Sequence, residues 1–442
     1  MTTRTAADAP RLHRDRFTLT LYGSFVTWGW LLYSFNPSVP LLARELDVSH
    51  AQAGLHGTAM AVGAVVAAAL TPRAVRRFGR RAVAVGAGAV VAVGTALLTT
   101  GTLLALTLAA VVVLAVGGNM LISASQTGLA DHHGRAASAA VTEANGVGSG
   151  LGLLGPLAVG ACVAIGWGWR PAVAVTGVIA LVTALLIRRL PADGALGRGR
   201  TAPAAVVTGA PATDPDADAV AATAAAAAPA ADAAPAADAA RAVPAAATQR
   251  AVHASRWFLV TIVAAIAIEN ATTYWATDLV RERTGAGAGI ATATTAGLVA
   301  GMTLIRFVVG PLSLRVSPAR LLAGAFGVAV AGWAVLWTAT SASVALAGLF
   351  LAGLGYGAHY PLGISLLLGA SAGATDSAQA RATVAGGLAI GIAPFLLGAL
   401  ADAVGSHTAF VIVPVIAVAG GVAALAGARA WRRERPAVAA AL

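Results

Sequence analysis

Three ionisable residues interrupt long apolar runs of this chain: Glu269, Arg306 and His359. A charge at the centre of an apolar helix costs several kcal/mol to place in a bilayer and usually faces a cavity, so each marks a place where protons or substrate could be handled. Glu269 lies about twelve residues into a run that starts near residue 257, roughly 18 Å deep at 1.5 Å per residue and close to the midplane of a bilayer. A carboxyl there can take a proton from one side and release it to the other, or it can fasten two helices by a hydrogen bond. Arg306 lies about eight residues, roughly two turns, from the end of its run, where its long side chain can reach Glu269 or a substrate anion, or snorkel to the interface. His359 and Tyr360 precede Pro361, which removes a helical hydrogen bond and predicts a kink or local unwinding. Histidine titrates near neutrality, so His359 can share the proton work or pack as a neutral ring.

Other polar residues within or beside apolar runs are candidates to line a cavity with them. Asn270, Tyr274 and Trp275 follow Glu269 on the same helix, and Tyr33, Asn36, Asn119 and Gln126 occur in the first half, near Trp28 and Trp30. Glu143 falls within one or two turns of a helix start, which predicts a solvated end. The single cysteine, Cys162, and the loop trio Asp131, His132 and His133 are too little for a metal site. The run from Gly150 to Gly155 matches a dinucleotide fingerprint in letters only: no strand precedes it and Pro156 follows at once. Gly146 with Gly150 and Gly148 with Gly152 predict close helix packing instead. Neither a metal nor a cofactor is expected, nor any nucleotide site of a primary pump.

These residues must be positioned by membrane helices. Of 442 residues 58% are hydrophobic and 11% charged, and the mean hydropathy is +0.79, far from a water-soluble domain. The runs predict twelve spans, at 17–42, 52–71, 82–100, 103–127, 138–165 and 170–188, then 257–279, 288–314, 319–339, 342–369, 381–401 and 407–428. The expected fold class is all-α integral membrane, with two pseudo-symmetric six-helix bundles at 17–190 and 256–430. A tail precedes them at 1–16 and another follows at 431–442. Between them 191–255 reads as a disordered Ala/Pro-rich linker, because Pro211, Pro215, Pro229, Pro235 and Pro244 break any helix.

The net charge of +11 comes from 29 arginines and no lysine. Only Arg44, Arg170, Arg281 and Arg283 fall in the loops of one side, and Arg306 lies within a span, so the positive-inside bias places both termini and the linker in the cytoplasm. The charge is thus a topology signal, and no nucleic-acid partner is implied. The halves repeat weakly: Gly155, Pro156 and Gly160 of helix 5 stand against Pro394 and Gly398 of helix 11, and Pro72 and Arg76 against Pro311 and Arg315.

The loop from Arg73 to Arg81 resembles the signature loop of the major facilitator superfamily of secondary transporters, a Gly, three residues, Asp-Arg, one residue, then Gly-Arg-Arg. Arg77, Gly79, Arg80 and Arg81 match and form a candidate gating loop. Pro72 and Arg76 replace the Gly and Asp, so the carboxylate that latches the inner gate in many members is missing. Trp169-Arg170 and the Gly-Pro of helix 5 extend the likeness, while Val113 stands four residues before Gly117 where drug/proton antiporters carry an arginine. The resemblance implies a cell-membrane transporter that moves a small organic molecule by alternating access; Glu269 makes proton coupling the expectation, the few charges of the candidate cavity lean it to efflux of a drug or metabolite, and a monomer is expected. The alternatives are proton-coupled uptake of a sugar or other polar nutrient, and a receptor or scaffold with the same fold that moves nothing.

Overall fold

The computed structural model describes residues 12–198, 245–313, 315–371 and 375–439. Helix α1 (Arg16–Phe35) stops where Asn36-Pro37 forms a 3-10 turn and resumes as α2 (Val39–Glu45). Then come α3 (His50–Phe78), α4 (Arg80–Thr100), α5 (Leu104–His133), α6 (Ala137–Gly152), α7 (Leu154–Ala164) and α8 (Arg170–Arg188). The second half holds α9 (Ala245–Thr284), α10 (Ala288–Ser313), α11 (Pro318–Thr338), α12 (Ala342–Gly369), α13 (Thr375–Val404), α14 (Ser406–Ala409) and α15 (Ile412–Ala439). Among the described residues there is no strand.

Eleven stretches among the described residues are long and apolar enough to cross a membrane, α6 and α7 counting as one. The α1–α2 rod falls short because Thr18, Ser24, Thr27 and Ser34 dilute it, yet all four are buried. Their hydroxyls are satisfied inside, Ser24 against Ser125 at 2.8 Å and Thr27 on the Gly23 carbonyl at 2.8 Å. With that rod packed on α6 and α8, the architecture is the twelve-helix, two-bundle membrane fold expected from the sequence.

The halves meet along two symmetry-related pairs, α3 with α13 and α7 with α10. Glycine allows the backbones to approach. A Cβ on Gly160 would stand 2.6 Å from the Gly289 carbonyl oxygen, and one on Gly398 2.4 Å from that of His50. The repeated glycines of helices 5 and 11 therefore both lie at the seam. The contact is one-sided: it runs from His50 to Ala61 on α3 and from Gly398 to Gly391 on α13. One turn further, Val65 and Leu388 are 65% and 58% exposed and nothing lies within 4 Å of a Cβ on Gly387. The halves close at the end opposite the termini and part toward the termini.

Three expectations need correction. The ends of the proposed linker are ordered: Leu196 is fully buried, the Arg80 amide donates 3.1 Å to the Gly197 carbonyl, and 245–255 is the first part of α9. Residues 199–244, and with them the five prolines, lie outside the described residues, as do the tail residues 1–11 and 440–442. Helix α12 runs unbroken through Pro361, since neighbouring helices hold it on both sides of the proline. Of the four glycines in α6, Gly148 and Gly152 do pack on α1, but Gly146 and Gly150 face open space.

Asp15 caps α1, accepting from the Thr18 amide at 2.8 Å and the Thr18 hydroxyl at 2.7 Å. Partial burial pushes its carboxyl up, but those two bonds and the His132 ring outweigh it and hold the group at about 2. A depressed acid stabilises the fold above its ordinary value and loses that contribution as pH falls through the folded one. The melting-temperature gap between the parent and Asp15→Ala is therefore expected to be full at pH 6 and to shrink as pH drops below about 4. In the seam, Gly160→Leu should cost about 1–3 kcal/mol by overpacking. Gly86→Leu, on a lipid-facing surface with nothing within 4 Å, should cost nothing; thermal melts of both variants in detergent check this.

Candidate functional site between the two halves

Glu269 sits at the middle of the His253–Thr284 span of α9, half-buried. Its charged or phenolic neighbours are Arg306 of α10, Tyr33 of α1 and Tyr356 of α12. No ion pair joins it to Arg306 among the described contacts. The guanidinium reaches across the seam instead, its Nη1 donating 3.1 Å to Ser149 Oγ on α6. Tyr33 of α1, half-buried, lies on the same side. On the far side, Tyr356 OH is bonded to Thr272 Oγ1 at 2.9 Å, one turn along α9 from Glu269. Beside Ser149, Gly146 and Gly150 present bare backbone to open space. One carboxylate and one guanidinium thus lie beside a gap between the halves with the half-buried Tyr33 and Ser149, while the Thr272–Tyr356 pair is buried behind them. Such a site can hold a small polar or amphipathic molecule, and can change its charge by taking a proton.

Only part of the expected constellation converges there. Glu269, Arg306 and Tyr33 do. Asn270 is adjacent, but its amide turns back to the Ile266 carbonyl at 2.9 Å. Tyr274 is a correction: it is fully buried in the core, its hydroxyl without a partner, and lines no cavity. His359 is another: 1% exposed, it stacks on Phe326 with centroids 3.9 Å apart, and neither ring nitrogen has a hydrogen-bond partner. Tyr360 is half-buried beside the core. Asn119 is buried with its amide on the Ala115 carbonyl at 2.8 Å, and Gln126 is half-buried one face away. Asn36 is buried at the break after α1. Glu143 is taken up by a bidentate pair with Arg14, 2.7 Å at each oxygen.

The loop between α3 and α4 turns at Gly79, whose φ of 86° disfavours any side chain. Arg80 Nη1 meets Asp131 Oδ2 at 2.5 Å and the Ala195 carbonyl at 3.0 Å, while Arg81 donates 2.9 Å to the Leu190 carbonyl. Arg77 lies over the Phe78 ring at 5.2 Å. Asp131, at the end of α5, is thus the carboxylate that this loop meets, and the pair lies within one half. Asp131 and Ser149 were not singled out as site residues; the alternation of glycines around Ser149 was the one signal that its helix has an open face.

The description of the Major Facilitator Superfamily matches residues 20–371. The chain belongs to the Major Facilitator Superfamily. It is accordingly a multi-pass secondary transporter and not an enzyme. Solved superfamily folds cover nearly all of it. A bacterial homolog of the human lysosomal transporter Spinster, inward-facing and occupied, has TM-score 0.70 at 13% identity over 95% of this chain and 97% of that one. The nucleoside transporter NupG has 0.68 at 11% over 93% and 98%. The transporter FucP in the outward conformation has 0.53 at 17% over 93% and 99%. A search of curated proteins finds no match.

Ser149→Ala removes the bond from the Arg306 guanidinium and should cost about 1.5 kcal/mol. Asp131→Asn, in a pair whose acid is 50% exposed, should cost less than about 1 kcal/mol. Denaturation midpoints of the two variants are expected in that order.

Proposed function

We propose that this superfamily member is a proton-coupled exporter of a small, weakly charged organic molecule, with Glu269 as the group that exchanges the proton and Arg306, Ser149 and Tyr33 as the substrate contacts. The observation that supports it most is the half-buried Glu269 carboxylate facing the gap between the halves with no ion-pair partner. A carboxylate at the membrane midplane without a fixed counter-ion is free to answer to whichever side the gap opens on. The gap holds few charges, which favours apolar or amphipathic cargo. The arginine distribution supports termini on the cytoplasmic side of the cell membrane, so the parted end faces the cytoplasm. The protein works as a monomer, since one chain supplies both halves of the site.

A second reading, uptake of a polar nutrient with a proton, draws on the half-buried hydroxyls of Tyr33 and Ser149 beside the same gap. Both readings make Glu269 the carrier.

The test is proton movement in proteoliposomes with an internal pH dye, across a panel of drugs and sugars. A substrate-driven pH change present in the parent and abolished in Glu269→Gln is expected, with substrate binding retained. An unchanged signal in Glu269→Gln removes the carrier, and the compound class that gives the signal decides between export of drugs and uptake of nutrients.

A further inference from the structure

Far from the midplane site, the end opposite the termini carries a second charged cluster, and it spans the seam. The His50 ring of α3 lies between two carboxylates of the other half: Nδ1 is 2.7 Å from Asp402 Oδ1 of α13, and Nε2 is 2.7 Å from Asp278 Oδ2 of α9. Asp402 also accepts from the His50 and Ala51 amides at the start of α3, 2.8 Å each. Asp278, 8% exposed, is paired with Arg44 of α2 and receives the Ser406 hydroxyl at 3.4 Å. The Trp275 ring closes on the imidazole at 5.1 Å. Glu45 is engaged by Arg170 and Trp169, and Glu282 by the His407 amide. Among the described residues, Asp278 and Asp402 are the acids that meet the ring.

A carboxylate that holds a guanidinium, or that accepts two backbone amides at a helix start, stays ionised and can only accept. A neutral imidazole has one N–H and would oppose a lone pair to one of these oxygens. Two 2.7 Å contacts to two acceptors therefore require hydrogen on both nitrogens. We infer that His50 is a proton-binding latch, one bound proton letting its ring donate to Asp278 and Asp402 at once and so fasten the two halves at the end opposite the termini. The proton enters from the water at that end and returns to it when the halves part, because separation removes both acceptors. The guanidinium of Arg44 already fills the cation position beside Asp278, so the ligand is a proton and not a metal ion. This inference is independent of Glu269: acid outside would favour the arrangement open toward the termini, with no substrate needed.

The latch is read by spin-label distances between Thr102→Cys and Thr340→Cys, exposed positions in the first and second half at that end, in a Cys162→Ser background in nanodiscs. In the parent, the ratio of closed to open distances is expected to fall by up to about tenfold per pH unit as pH rises from 5 to 8, the slope for one linked proton. His50→Gln, which keeps a hydrogen-bonding side chain but cannot gain the proton, should lose that slope. His50→Arg, charged at every pH, should remain closed throughout. A parent without pH dependence, or either variant keeping the parent's slope, overturns the inference; should the Gln variant not fold, the Arg variant decides alone.

Discussion

Hydrocarbon gives a backbone amide, a hydroxyl or a charge nothing to bond to, and every feature of this chain is a response to that one constraint. The backbone answers by being helical throughout the spans. The small polar side chains answer locally: Thr20, Thr71, Thr95 and Ser38 return their hydroxyls to the carbonyl four residues back, as Asn119, Asn145 and Asn270 do with their amides. Such residues cost little and commit the protein to nothing. Glu269 cannot do the same, because a helix interior has no free N–H to offer a carboxylate. It needs water, a partner or a ligand, and that need keeps a gap open beside it.

The gap exists because the two halves touch along only part of their length. Without a hydrophobic drive between helices in lipid, contact depends on close backbone approach and on hydrogen bonds across the seam. Gly160 with Gly289, and Gly54, Gly57 and Gly398 around α13 and α3, supply the first. The second is supplied by His50 and Thr58 toward the end opposite the termini, and by Arg306 on Ser149 near the middle. Past those points the seam glycines give way to exposed valine and leucine, and the helices diverge. An interface built from rigid rods with contacts at one end is a hinge by construction, and alternating access needs no more than a second set of contacts at the other end. The Arg80 and Arg81 cluster with Asp131 binds the ends of α4, α5 and the start of the 191–198 segment within one half, so that half moves as a unit.

Much of this was legible in the sequence, because the signals are short-range. Apolar runs of membrane length, the arginine asymmetry, the repeated Gly-Pro elements and the Arg77, Gly79, Arg80, Arg81 loop give the class, the helix count and the family without reference to any contact. Glu269 was legible for the same reason: a lone acid in an apolar run is improbable unless something uses it. Side-chain direction was not. His359 and Tyr274 carry the same kind of signal as Glu269, yet one ring stacks on Phe326 and the other phenol is sealed in the core. A span hydrophobic on all faces has no periodicity to say which face meets the gap, so residue type locates depth along the helix but not rotation about it.

The sequence by itself thus determined how many helices cross, which loops carry the charge and which residues are too polar for lipid, since each follows from the transfer energy of local segments. Only the tertiary structure decided which of those residues meet. Arg306 reaches Ser149 across the seam, Arg80 meets Asp131, and His50 lies between Asp278 and Asp402, hundreds of residues from it in the chain. No pattern along one helix encodes such a meeting, because it depends on the rotation and tilt that close packing against the neighbouring helices imposes.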